Sequence, residues 1–286
     1  KEENERNFDN IKREGEEVRT GADRFGRFFE SLTPLKDASG NSVYSNGFTN
    51  IEIVKEQATP NGDFPTCPYP NPEIREALEV GLNVAKEVGA DILIATDPDC
   101  DRVGIAIKQG DDFRLFSGNE VGVLLTDFIA KRKVAMGIMP KKPVVVKTIV
   151  TTDLVNRVAD DYGIETRDVL TGFKYIGDQI ANLEKDGEVD RYLLGFEESY
   201  GYLSGSYVRD KDAVNGAYLI AQMFAYYKAE NKSLLDVLNG LYEKYGYYLN
   251  TLYSFEFEGE SGMKKMDAIM DTFRNNTPKE LSLIHI

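Results

Sequence analysis

Three aspartates at alternate positions, Asp97, Asp99 and Asp101, fill the stretch "DPDCDR" directly after the apolar run "ADILIAT". Carboxylate oxygens are hard ligands, and three converging on one point suit a hard divalent cation such as Mg2+ or Ca2+. A calcium-binding EF-hand loop also begins D-x-D-x-D, but it needs glycine at its sixth position and glutamate at its twelfth. Arg102 and Lys108 stand there instead. Two other readings of the same residues stay open. Asp99, Asp101 and Val103 match the D-x-D-x-V pattern of phosphatases with an aspartate nucleophile, for which Asp160 and Asp161 offer a downstream ligand. A solvated acidic loop with Arg102 as counter-ion needs no ligand at all.

Three further stretches carry chemistry. In "LLGFEESYGYL" an apolar strand ends in Glu197, Glu198 and Ser199, and Gly201 permits close backbone approach. Paired carboxylates of this kind can accept hydrogen bonds from vicinal hydroxyls, although a solvated loop is the commoner origin of such a pair. In "LTGFKYIGDQI", Lys174 lies between Gly172 and Gly177 at a helix start, where backbone N–H groups and the helix dipole favour an anion. In "YVRDKDAVNGAYL", Arg209 and Lys211 precede a long helix whose N-cap is Asp212. Cations there oppose the dipole, which invites an anionic partner, although pairing with Asp210 and Asp212 explains them equally well.

The elements that position these stretches alternate. Strands are expected at 50–54 ("NIEIV"), 91–96, 102–108 and 113–118, then at 144–151, 164–170 and 191–196. Helices are expected at 70–89, 120–135, 153–163 with Asp153 as cap, 175–185, 212–230, 234–246 and 263–275, with a hairpin at 248–259. Two rounds of strand and helix imply an α/β fold of two consecutive units, each a sheet covered by helices. Ligands in such folds lie beyond the carboxyl ends of strands, where all the polar stretches above begin.

Composition removes several classes of function. With 48 acidic and 34 basic residues the net charge is −14, which repels nucleic acid and anionic membranes and requires any anionic substrate to meet a local inversion of charge. The only histidine is His285, next to the last residue, which leaves a Ser-His-Asp triad or a histidine-rich zinc site close to excluded. Two cysteines, Cys67 and Cys100, and an opening of 14 charges in 24 residues fit a cytoplasmic location. The longest uncharged apolar run, "AVNGAYLIAQMFAYY", is shorter than the roughly 20 residues of a membrane span.

In order and spacing, "GFTNIEIVKEQATPNGDFPTCPYPNPE", "IATDPDCDRVGIAI", "TGFKYIG" and "FEESYGYLSGSYVRDKDAV" resemble the α-D-phosphohexomutase superfamily of phosphoglucomutases and phosphomannomutases. The resemblance runs from Gly47 to Asn276 and is closest to bacterial phosphoglucomutases. It implies the second and third of four domains around one cleft, with mixed sheets and an incomplete first unit. The expected organisation is a charged tail at 1–28, a metal-loop domain at 29–118, a sugar-loop domain at 119–254 and an extension toward a fourth domain at 255–286. The resemblance further implies that Asp97, Asp99 and Asp101 hold Mg2+ and that Arg102 steers the phosphate. Glu197 and Ser199 would bind hydroxyls of a sugar phosphate, Arg209 and Lys211 its non-reacting phosphate, and Lys174 would relay a proton. Family members transfer phosphate through a serine in a Ser-His-Asn-Pro loop, and no serine here precedes a histidine. The Arg-x-Ser-Gly-Thr loop of the fourth domain is also absent. The chain therefore reads as an internal fragment of a glucose-preferring mutase, inactive alone because the first and fourth domains are its missing partners.

Overall fold

The computed structural model describes residues 50–276, except 252 and 254, together with an antiparallel strand pair, β1 (Leu35–Lys36) and β2 (Ser42–Val43). The expected tail at 1–28 lies outside the described residues. The chain divides into two compact units, Lys1–Tyr245 and Gly246–Ile286.

In the first unit, helix α1 (Arg75–Val88) covers a three-stranded antiparallel sheet of order β3-β4-β5. Its strands are β3 (Ile92–Thr96), β4 (Val103–Gln109) and β5 (Asp112–Phe116). α1 begins five residues later than its sequence pattern implies, because the prolines of "PYPNP" favour extended and turn backbone over helix. It ends as expected, with Gly89 left-handed at φ 68°. Leu78, Leu82 and Ala85 on its inner face pack on Ala106 and Phe113. Two strand expectations change. β3 is half-buried rather than buried, since among the described residues it is one of the two edge strands of the sheet. Residues 50–54 form no strand and lead into a 3-10 turn at Lys55–Gln57.

Helix α2 (Gly118–Ala135) begins with a capping box, in which the Ser117 side chain accepts from the Glu120 N–H and Glu120 reaches back to the Ser117 N–H. Eleven of its residues are buried, because helices and a strand pack around it. Beyond it lies a mixed sheet of order β7-β6-β8-β9. β6 (Val144–Thr148) runs parallel to β7 (Glu165–Val169) and β8 (Tyr192–Phe196), and β9 (Tyr202–Leu203) returns antiparallel to β8. Helices α3 (Leu154–Asp161) and α4 (Phe173–Lys185) make the crossovers, and α4 buries Phe173, Ile176, Ile180 and Leu183 against Val144, Val146 and Tyr192. Asp153 occupies the N-cap position of α3, but its side chain does not cap the helix; it meets Lys147 at 3.2 Å instead. Helices α5 (Ala213–Ala229) and α6 (Leu234–Tyr245) complete this unit. Asp212 caps α5 as expected, accepting from Val214 N–H and Asn215 N–H at 2.8 and 3.1 Å.

In the second unit, helix α7 (Gly259–Asn275) follows a stretch whose described residues form no strand, so the hairpin expected at 248–259, of which residues 252 and 254 lie outside the described residues, is not seen among the rest. The alternation of Tyr253, Phe255 and Phe257 supplies a strand-like face, but a ladder also needs a partner. No described helix is long and apolar enough to cross a membrane.

Candidate functional site

The turn after β3 is folded around one carboxylate. Asp97 is buried, and its Oδ1 accepts from the backbone N–H of Asp101 at 3.0 Å and of Arg102 at 2.9 Å. Its Oδ2 accepts from Arg102 Nε at 2.7 Å. Burial opposes ionisation of Asp97, but these bonds outweigh it and hold the carboxyl below its usual range. Cys100, buried and left-handed at φ 57°, completes the turn, and its carbonyl accepts from Ala213 N–H at the start of α5. Ligand oxygens of Asp97, Asp99 and Asp101 then lie within 4.8 Å of one another. A small cation at about 2.1 Å from each oxygen requires separations of about 3–4 Å. The exposed Asp99 can supply the remaining movement, so the three acids fit a divalent metal.

The turn between β8 and β9 is held by neutral donors. Glu197 is buried, and one of its oxygens accepts from the Gly172 N–H at 3.0 Å. Burial raises its pKa, with Lys211 and the Gly172 bond pulling the other way. Glu198 accepts from the hydroxyls of Thr148 at 2.9 Å and Thr151 at 3.2 Å, both at the carboxyl end of β6. Lys147, also buried there, meets Asp168 at 2.9 Å. Ser199 is half-buried in the same turn, and Tyr200 is left-handed at φ 67°.

The two turns, from different sheets, are joined. Arg102 and Gly201 form an antiparallel bridge, and Val103 N–H donates to Tyr200 O at 3.0 Å. Lys211 spans the junction, with Nζ 2.9 Å from Asp101 Oδ2. Arg209 is turned aside onto Glu184 and the carbonyls of Ser206 and Val208. Lys174 is exposed on the first turn of α4, with Nζ 4.9 Å from the Tyr175 ring centroid. Of the sequence candidates, Asp97, Asp99, Asp101, Arg102, Lys211 and the Glu197 turn are brought together, and the α4 start joins them through Gly172. Asp161 lies apart, paired with Lys244 and Tyr245.

The sequence reading missed Glu73, whose Oε1 lies 3.5 Å from Arg102 Nη1 and whose carboxyl is raised by burial. It sits in the "PNPE" loop, 29 residues from Arg102, and no local pattern connects the two. Thr148, Thr151 and Gly118 were also missed. A Cβ on Gly118 would stand 2.1 Å from Glu198 O, so glycine lets α2 begin against the turn.

Family models for phosphoglucomutase/phosphomannomutase α/β/α domains match twice, domain II at residues 41–110 and domain III at 117–245. The chain belongs to the phosphoglucomutase/phosphomannomutase family. A phosphoglucomutase of Staphylococcus saprophyticus is 39% identical over 229 residues, 80% of this chain and 41% of that protein. One from Staphylococcus aureus is 35% identical over 240 residues, 84% of this chain and 42% of that protein. The chain thus spans about two-fifths of the length of these curated relatives. The open form of the Paramecium phosphoglucomutase pp63/parafusin shares the fold, at TM-score 0.51 and 20% identity over 78% of this chain and 38% of that one. Mixed α/β architecture with helix-covered sheets is thereby the fold of family domains II and III.

Proposed function

We propose that this chain supplies the metal-binding and sugar-binding part of a Mg2+-dependent phosphoglucomutase, which interconverts a sugar 1-phosphate and 6-phosphate, with glucose the preferred sugar. The observation that supports the reading is the joining of the two acidic turns across the Arg102–Gly201 bridge, with three aspartates that could hold a metal on one side and the Glu197–Glu198 pair on the other. The phosphoserine would come from residues outside this sequence. Asp97, Asp99 and Asp101 would hold Mg2+, which when bound neutralises charge on the transferring phosphoryl group.

The chain's own residues divide the remaining work. Arg102 presents guanidinium N–H groups to phosphate beside the acids, its plane fixed by Asp97. Glu197 and Ser199 accept from sugar hydroxyls in a turn whose backbone is set by Gly201 and Tyr200. Lys174, exposed at the α4 start, relays a hydroxyl proton, and Arg209 with Lys211 attracts the second phosphate. In an electronegative chain these cations offset part of the acidic charge of the two turns, and a bound divalent metal would supply the rest of the inversion that a sugar phosphate needs.

One titration and one activity assay test the reading. Calorimetry should detect Mg2+ binding to the wild type and none to Asp99→Ala; heat of equal size from both would remove the metal site. The purified chain alone should not turn over glucose 1-phosphate, and enzyme-like interconversion would show that no outside serine is required.

A further inference from the structure

We propose that the Lys211 ammonium is a built-in competitor of the divalent cation for Asp101, so that one side chain couples metal binding to phosphate binding; the inference rests on the metal-site reading above. Lys211 Nζ lies 2.9 Å from Asp101 Oδ2, and its side chain is only 20% exposed. The other oxygen of Asp101 lies 3.7 Å from Arg102 Nε. Asp101 is thus the one acid of the three that both a cationic lysine and an arginine draw on.

The path of the lysine is built into the backbone. A Cβ on Gly201 would fall 2.3 Å from Lys211 Cδ, so glycine in the Glu197 turn opens the track along which the stem runs. The next two residues anchor it: Asp212 N–H donates to Tyr202 O at 2.9 Å, and Ala213 N–H to Cys100 O at 3.1 Å. Lys211 is therefore held at the seam of the two turns, between Asp101 of one and the field of Glu197 from the other.

A carboxylate cannot serve an ammonium and a divalent cation at full strength, because the two positive charges then repel across a few ångströms. Binding of the cation weakens the hold on Lys211, whose flexible four-carbon stem carries the charge to the next nearest anion. Within the structure the nearest is Asp210, 4.0 Å from Lys211 Nζ; in a sugar-phosphate site the phosphate ester, with its greater negative charge, competes with Asp210 for the lysine. By linkage, phosphate that captures the lysine in turn strengthens cation binding by the same factor.

The two ligands should therefore respond to Lys211→Met in opposite directions. Mg2+ titrated calorimetrically into the full chain should bind about three- to tenfold tighter in the variant, since a repelling charge is gone. Glucose 1-phosphate, titrated in saturating Mg2+, should bind the variant more weakly. Lys211→Gln, equally neutral but polar, should repeat both shifts, and Lys211→Arg, which keeps the charge, should bind Mg2+ no tighter than the wild type. A merely structural lysine would lower both affinities together, and that result overturns the proposal, as does unchanged Mg2+ affinity in both neutral variants. Wild type that takes up no Mg2+ overturns the metal-site reading itself, an outcome separate from either.

Discussion

The two acidic turns hold their carboxylates by opposite means. Asp97 in the first turn is bound by a guanidinium as well as by backbone N–H groups, and its negative charge is locked in. Glu197 and Glu198 in the second turn are oriented by an amide and two hydroxyls, all uncharged. Both turns use carboxylate acceptors, but only the first adds a charged donor, the Arg102 guanidinium, so the first turn is the more rigid frame and the second an oriented but softer one. This is the division expected when one turn must fix a cation and the other must receive neutral hydroxyls.

The sharpest way to break the contrast is Asp97→Ala. It strips two backbone N–H groups and Arg102 Nε of their acceptor and leaves a partly buried guanidinium near Asp101. Arg102 keeps Glu73 and Asp101 nearby, so the main cost is the lost acceptor of three donors, together about 3 kcal/mol. Urea unfolding should show a loss of that order, and calorimetry no Mg2+ binding. Retained stability would mean that the frame is held elsewhere.

Next in size is Gly118→Ala, which acts on the second turn alone. Its methyl would collide with the Glu198 carbonyl, a backbone atom with little freedom to yield. Overpacking of this kind costs about 1–3 kcal/mol, readable by denaturation, while the acids of the first turn stay in place. Thr148→Val is milder. Glu198 keeps Thr151 as partner, so a loss of about 1 kcal/mol is expected. Mg2+ affinity should not move. If Thr148→Val weakened Mg2+ as strongly as an aspartate substitution, the division between the turns would fail.

How far these features were legible depended on their range in sequence. Strand and helix alternation, the Gly89 stop, the Asp212 cap and the grouping of Asp97, Asp99 and Asp101 are local patterns, and they could be read. The stretch "NIEIV" also has a local pattern, but a strand is defined by its neighbour, which no window of five residues contains. Thr148 and Glu198 are 50 residues apart, and Arg102 and Glu73 are 29 apart. Such pairs exist only once the sheets are assembled. Asp153 shows the same limit from the other side. Its position promised a cap, yet its carboxylate turns to the buried Lys147, which it shares with Asp168 from the neighbouring strand, a grouping that forms only when the sheet is assembled.

The smallest effect concerns pH and separates two acids within the first turn. Asp101 is raised to about 6, by burial and by the neighbouring Asp97 against the pull of Lys211, whereas Asp97 is lowered. An acid whose folded value exceeds its unfolded one binds more protons when folded, so its contribution to stability improves as pH falls through about 6 toward about 4. Asp97 has the opposite sign, but its stabilisation is lost only below about 4, outside that window. Between about pH 7.5 and 5.5, Asp101 therefore acts without it. Protons and Mg2+ compete for this carboxylate, so the rise in Tm that saturating Mg2+ produces at pH 7.5 should shrink at 5.5 by about 2–4 °C. Asp101→Asn, which cannot take up the proton, should show no such change with pH. An Mg2+-induced Tm shift that is equal at both pH values in the wild type would mean that Asp101 is not a ligand, and the first turn would then frame its cation with Asp97 and Asp99 alone.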